Sequence, residues 1–566
     1  MGETSPRATR DPCRLVPPGR AARAWLVTLP LAILAGCGEE SRLAAPDPDG
    51  PAATALQAPP APPPPDESAW TIATPPPPPP ACERTLTAQV VALDQVYTYN
   101  RFGAFNPVGM IYALRADVVA IQGTTPGPGN ARLRDDVRPR PLVLRVNVGD
   151  CLDVVFTNWL APAVSGGDAP TTRTASFHVN GLHYRNAAAD GAWVGSNDST
   201  LAAPGQTRTY RYYADREGAF FAHSLGASAG GEGDGGSTVL GLFGAINVQP
   251  RGSVWYRSQV RGDELALATV GRNPDGTPRI DYAARDPGTG RPLLAILDGN
   301  EIVHGDLHAI VTDFRESEFG TSTTASQRQF REFTVLFHDE LKAVQSFAEL
   351  DLEPFHGVRD GFGVNYGASG MGSILLANRK KIGPTKDCAE CRYEEFFLTS
   401  WANGDPALVV DEALGEALYP QDPSNVAHSY LGDPVRIRNI HAGPKETHVF
   451  HLHAHQWLLN PANDRSTYLD SQTIGPGAAF TYDVAYGGGG NRNLTPGDAI
   501  FHCHLYPHFA QGMWGLWRNH DVFEAGTTTA GCRTASSRGE RPRPRWCRSP
   551  AGRCRRCPRG RRRPAW

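Results

Sequence analysis

Two short segments near the end of the chain concentrate side chains that bind metals. The first reads His448-Val449-Phe450-His451-Leu452-His453, and the second reads His502-Cys503-His504-Leu505-Tyr506-Pro507-His508, followed by Phe509-Ala510-Gln511-Gly512-Met513. A lone core histidine needs no explanation beyond a hydrogen bond, but six histidines and a cysteine packed this closely call for a metal. If each segment is a strand, successive side chains point to opposite faces, so His502 and His504 share one face and Cys503 takes the other. One strand can then serve two sites. The spacing of Cys503, His508 and Met513 lets a loop bring thiolate, imidazole and thioether around one ion, with His448 supplying a second imidazole. That ligand set is the one expected of a mononuclear blue-copper centre, and its soft sulfur disfavours magnesium and calcium. Zinc competes on chemical grounds, but it leaves Met513 and the second histidine set without a role.

The elements that must position these residues read as short strands. Runs such as Pro141-Leu142-Val143-Leu144-Arg145-Val146-Asn147-Val148 and Phe333-Thr334-Val335-Leu336-Phe337-His338 are β-branched and aromatic, with Gly, Pro, Asn and Asp clusters between them. The fold class expected is all-β, as three β-sandwiches at 83–250, 251–410 and 411–525. An internal duplication supports the outer two. Leu144 to Asp150 leads on to Phe177-His178, and Gly432 to Ile440 leads to His448 and His451; each is followed by Ala203-Pro204-Gly205 or Gly475-Pro476-Gly477 and then a second His-bearing strand. The unit at 251–410 has the strand texture without a comparable histidine pair.

Outside these units the composition changes. Residues 1–37 read as a signal peptide: Arg20 and Arg23 precede an apolar run too short to span a bilayer, which ends in Leu34-Ala35-Gly36-Cys37. That tetrapeptide resembles the bacterial lipobox and implies a lipid anchor at Cys37, hence a membrane-attached lipoprotein of the bacterial cell envelope facing the periplasm or the surface. Residues 38–82 are a proline-rich spacer. Export makes a Cys82–Cys151 disulfide reasonable, whereas Cys388-x-x-Cys391 is weak evidence for anything. The net charge of −3 combines an Arg-rich tail, 526–566, expected to be disordered, with an acidic body. The acidic body argues against nucleic-acid binding and is compatible with cationic substrates.

The pattern His-x-x-His-x-His followed by His-Cys-His-x3-His-x4-Met resembles the C-terminal copper signature of the multicopper oxidases, and the likeness extends over about residues 83–525. It implies three Greek-key cupredoxin domains and an enzyme, a copper-dependent oxidoreductase that couples oxidation of a small reducing substrate to reduction of dioxygen. It also implies type 1 copper ligands His448, Cys503, His508 and Met513, with Cys503, flanked by His502 and His504, as the electron path. By the same resemblance type 2 copper takes His178 and His451, and the type 3 pair takes His223, His453, His502 and His504. The first domain departs from the family pattern: Asn180 and Leu225 stand where histidines are expected. Asn offers a poor carbonyl oxygen and Leu nothing. His183, His455, Glu232 or Asp234 could fill the gaps, though an ordinary surface or supporting role is the blander reading of the two histidines. An incomplete cluster, leaving a blue-copper electron-transfer or copper-binding protein, is the alternative function.

Weaker signals remain. His304-Gly305-Asp306-Leu307-His308 could bind a metal but reads first as a solvated turn; His338-Asp339-Glu340 could sit near an acidic substrate site, with an exposed strand end as the blander reading; Gly230 to Gly236 reads as a flexible loop. With only four Met in the chain, no Met-rich cuprous-ion docking segment exists. The reducing substrate is then a metal cation such as manganous or ferrous ion, or a phenol.

Overall fold

The computed structural model describes residues 80–99, 104–163, 172–226, 236–319, 327–341, 343–345, 361–367, 371–387, 410–411, 416–417, 426–489, 494–521, 546–548 and 554–556. The signal peptide, the proline-rich spacer up to residue 79, Cys388, Cys391, Glu232 and Asp234 lie outside the described residues. The structure is mostly β, as expected. Strands Thr85–Asp94, Met110–Leu114, Cys151–Asn158 and Thr207–Tyr213 belong to one sheet, which faces a second sheet of Leu142–Asn147, Phe243–Gln249, Gly218–His223 and His178–Val179. Their apolar faces, including Leu86, Val90, Leu144, Val154, Phe156 and Ile246, form the core of this first sandwich. The disulfide Cys82–Cys151 closes its entry strand, as the sequence suggests.

The second sandwich draws its strands from both sides of 410/411. Strands Val254–Arg257, Ala309–Thr312 and Gln329–Leu341 continue directly into Val435–His441 and Ala479–Asp483 as one sheet, and Gln329–Leu341 runs parallel to Val435–His441 from Arg331↔Val435 to Phe337↔His441. Among the described residues, most of the strand material of 251–410 therefore shares a sheet with 411–525. A distal sheet of Ala427–Tyr430, Trp514–His520, Gly497–Cys503, His448–Leu452 and Ser471–Ile474 covers the other side. Within the tail expected to be disordered, Trp546–Arg548 and Cys554–Arg556 pair antiparallel.

The sheet shared by these segments is central, with both faces buried. Along Gln329–Leu341 one face carries Phe333, Val335 and Phe337 into the core of the second sandwich, together with Val435, Ile437, Phe450, Cys503 and Met513. The opposite face carries Leu336, with Ile440 of the neighbouring strand, against Phe221, Phe243 and Ala245 of the first sandwich. Alternation in a strand makes this two-sided burial possible. Polar residues on the same face are buried too, and they pair. Glu332 accepts from Arg145 Nε at 2.8 Å, Arg438 Nε at 2.9 Å and Asn247 Nδ2 at 2.9 Å, and from Gln249. Burial raises its carboxyl, but the guanidiniums of Arg145 and Arg438 outweigh that and hold it down at about 2. Nearby, Arg436 pairs with Glu217 at 3.0 Å and Asp483 at 3.3 Å, its guanidinium over the Phe319 and Phe330 rings. The segment His304–His308 belongs to this interface and is not a solvated turn. Arg145 donates to the carbonyls of Asp306 and Leu307, and buried His308 accepts the Thr334 amide through Nδ1. Among the described residues no helix is long and apolar enough to cross a membrane.

Candidate metal centre

The antiparallel register Phe450↔Cys503 and His451↔His502 fixes which side chains meet. His448, Phe450 and Cys503 point inward. After Cys503 the chain turns at His504-Leu505 into the short helix Tyr506–Gln511, which has Pro at its start, where no backbone N–H is needed, and returns His508 to the thiol. The helix ends at Gly512. There the Met513 amide donates to the His508 carbonyl at 3.0 Å and the Cys503 amide donates to the Met513 carbonyl at 3.0 Å, so Met513 lies alongside Cys503. The Nδ1 atoms of His448 and His508 are 2.9 Å apart, and Cys503 Sγ lies 3.5 Å from His508 Nδ1 and 3.8 Å from His448 Nδ1. His448, Cys503 and Met513 are fully buried and His508 nearly so. Phe362 stacks on the His508 ring at 4.3 Å. Burial pushes the Cys503 thiol up and the His508 imidazole down. Three donors brought this close inside an apolar core, with a thioether beside them, fit an ion that prefers sulfur and imidazole, which is the chemistry of copper.

The reverse face of the same two strands carries His451, His453, His502 and His504. Donor nitrogens of His451, His453 and His502 lie within 4.8 Å of one another, and the His504 ring is 5.2 Å from that of His451. Second contacts select the tautomers. His502 Nδ1 donates to the Cys503 carbonyl at 2.8 Å, and His451 Nδ1 is 3.0 Å from both the Asp470 carbonyl and Ser471 Oγ. Both rings are thereby left with Nε2 for an ion, the arrangement that orients metal-binding imidazoles. Burial, then the neighbouring histidines, pushes His502 down to about 4 despite the Cys503 carbonyl, and lowers His453, so both are neutral near pH 7.

The first-sandwich histidines form a separate group. His178 and His223 are cross-strand partners with ring centroids 5.2 Å apart. His178 Nδ1 meets the Asp190 carbonyl at 2.6 Å, and His223 Nε2 meets Asn180 Oδ1 at 3.1 Å. Asn180 also reaches toward the carbonyl of Gly477 in the second sandwich. His223 shares the face of Phe221, which packs against the central sheet. His451 and His502 point away from that sheet, out of the distal one. The thickness of the second sandwich, about 10 Å between its sheets, therefore separates the two groups. Among the described residues, no cluster of donors close enough to share an ion mixes them. The structure thus pairs His178 with His223 and groups His451, His453 and His502, and no such cluster among the described residues joins the two sets. Neither suggested histidine joins in: His183 is exposed, edge-on to Tyr213, and His455 is buried, stacked on Trp517 at 4.1 Å.

Asp339 lies beside the buried ligand set, a contact that the sequence does not reveal. It is buried, not an exposed strand end, with Oδ2 3.3 Å from His448 Nε2. Burial would raise its carboxyl, but His448 and the Glu446 amide hold it below the ordinary carboxylate range. Period-2 alternation was the available signal, since Phe333, Val335, Phe337 and Asp339 share one face.

No family model matches the chain. Over 155 residues it is 24% identical to a "Probable nitrite reductase-hydroxylamine oxidoreductase fusion protein" of Kuenenia stuttgartiensis, a stretch covering 27% of this chain and 16% of that protein. The chain thus spans about a sixth of this curated relative. Similar solved structures include a copper nitrite reductase from Nitrosomonas europaea, with 16% identity, 79% of this chain and 97% of that chain covered, and a TM-score of 0.36. A blue copper oxidase from Nitrosomonas europaea aligns at 13% identity over 78% of this chain and 86% of its own, with a TM-score of 0.35. At these values the likeness carries no argument, and the all-β character of the chain rests on its own strands.

Proposed function

We propose that the chain is a copper-dependent oxidoreductase that takes single electrons at the His448, Cys503, His508 and Met513 site and delivers them to the outward histidine group, where dioxygen is reduced. One observation carries this reading. The strand Gly497–Cys503 presents Cys503 to the buried site and His502 to the outer face, with the Cys503 carbonyl hydrogen-bonded to the His502 ring. Copper, when bound, supplies the one-electron couple. The residues around it supply burial, fixed ligand orientation and neutral imidazoles. Because His178 and His223 cannot reach His451, His453, His502 and His504 within one chain, they would join from a second copy. Exposed Trp193 and Val194, on the loop after Asp190, and exposed Leu505 and Tyr506, after His504, offer apolar surface for such a contact. The reducing substrate is a metal cation or a phenol, and export as a cell-envelope lipoprotein is part of the same reading.

A second acceptor has an observation in its favour. Asn180 and Leu225 leave too few imidazoles for three well-held ions, whereas His451, His453 and His502 suffice for one, and the curated relative carries the name of a nitrite reductase. Stopped-flow mixing of dithionite-reduced, copper-loaded protein separates the possibilities. Reoxidation by dioxygen supports the oxidase, and reoxidation by nitrite supports the alternative. Reoxidation by neither leaves an electron carrier. Mixing His223→Ala chains with His502→Ala chains should restore part of the lost turnover if the site forms between copies.

A further inference from the structure

The remote nitrogens of the two buried imidazoles are held from behind by carboxylates, and one five-residue turn organises both contacts. With His448 Nδ1 turned toward Cys503, its proton sits on Nε2, which is fully buried, has no aligned hydrogen-bond acceptor, and lies 3.3 Å from the charge of Asp339 Oδ2. His508 Nε2 meets Glu446 Oε2 at 2.8 Å. The turn Ala442-Gly443-Pro444-Lys445-Glu446 links the two. The Glu446 amide donates to Asp339 Oδ2 at 2.8 Å, and the Glu446 carbonyl accepts from His441 Nε2, whose ring stacks on His448 at 4.4 Å. Gly443 is required for the approach, because a Cβ there would stand 2.0 Å from Asp339 Oδ1 and 2.8 Å from the Asp339 amide nitrogen. Asp339, His441 and His448 also lie close enough to suggest an ion of their own. Both His441 ring nitrogens are taken, however, Nδ1 by the Gly443 amide and Nε2 by the Glu446 carbonyl, which leaves no donor there.

We propose that Asp339 and Glu446 are positioning residues that clamp the two ligand imidazoles and bias the bound copper toward its divalent form. A carboxylate beside the remote N–H makes an imidazole more basic and fixes its ring, and the more basic ligand favours the higher charge. The two contacts are unequal. Asp339 acts inside the core, where its charge is little screened, whereas Glu446 is 39% exposed and is screened by salt. The inference rests on the copper reading of the buried site.

The test measures the reduction potential of copper-loaded, full-length protein by spectroelectrochemical titration of the blue band, at low salt and at ~1 M salt, where charges are screened beyond about 3 Å. Asp339→Asn should shift the Cu(II)/Cu(I) ratio at fixed ambient potential about tenfold toward Cu(I), a rise of about 59 mV, at either salt concentration. Glu446→Gln should shift it in the same direction by less, and the difference should shrink in high salt. Gly443→Ala should follow Asp339→Asn, so the test survives if Asp339→Asn fails to fold. Unchanged potentials in Glu446→Gln and in either Asp339→Asn or Gly443→Ala, with the blue band intact, overturn the clamp. A wild-type copper adduct without a blue band overturns the copper reading beneath it, and that failure is visible before any variant is made.

Discussion

Replacing Glu332 by Gln should damage the whole molecule, although the residue touches no candidate ligand. The carboxylate is fully buried between Arg145 of the first sandwich and Arg438 of the second, both also fully buried. Gln keeps the shape but leaves two guanidiniums without a counter-charge, and breaking a buried pair in this way costs about 3–5 kcal/mol. The depressed carboxyl points the same way, since its folded value lies below the ordinary one and the ionised form therefore favours the folded chain near neutral pH. Because the folded value is the lower one, that contribution is present above pH 4.5 and is lost as pH falls toward 2. Urea unfolding followed by tryptophan fluorescence, at pH 7 and stepwise down to pH 2.5, is the assay. Glu332→Gln should unfold at lower urea at pH 7, and its deficit relative to wild type should narrow between pH 4.5 and 2.5. Parallel pH curves for the two proteins, or equal midpoints at pH 7, would refute the reasoning.

Cys503→Ser should abolish the intense red-region absorption of copper-loaded protein, whereas Met513→Leu should keep the colour and raise the potential by removing an axial donor; optical titration checks both. His453→Ala or His502→Ala should lower copper stoichiometry while leaving the blue band in place, which metal analysis beside the visible spectrum reports. Opening the Cys82–Cys151 bridge, which closes 69 residues of chain, by the double change to Ser should cost about 4 kcal/mol. Denaturation of the oxidised double variant against wild type measures it.

The convergence of His448, Cys503, His508 and Met513 was legible because its signals are local. The alternation around Cys503, and the turn that returns His508, each need fewer than a dozen residues to read. The grouping of strands was not legible, because Gln329–Leu341 pairs with Val435–His441 across about a hundred residues and parallel pairing leaves no mark in the intervening sequence. Local pattern was also silent on Arg436 and Arg438, which are fully buried against Glu217 and Glu332. The acids that neutralise them lie far away in sequence, and nothing local announces them. Asp339 and His308 were misread for the same reason, since a polar residue at a strand end looks exposed until its partner is known. The displacement of His178 and His223 from the C-terminal histidines follows from which sheet lies between them, a property of stacking order that no motif encodes.

The strand Gly497–Cys503 places a thiol on one face and imidazoles on the other, so its length is a matter of parity. Inserting or deleting a single residue between its pairing contacts with Leu516 and Phe450 would turn every later side chain to the opposite face. Cys503 would then meet solvent, and His502 and His504 would enter the core as unpaired polar groups. A two-residue change would preserve facing and shift the ligands by about 7 Å, too far for His448 to follow. Point substitutions in this strand can be graded in their effect, but length changes cannot. Homologous chains should therefore vary in the Pro461–Thr467 turn or the loop before Gly497 while keeping the residue count from Gly497 to Met513 unchanged.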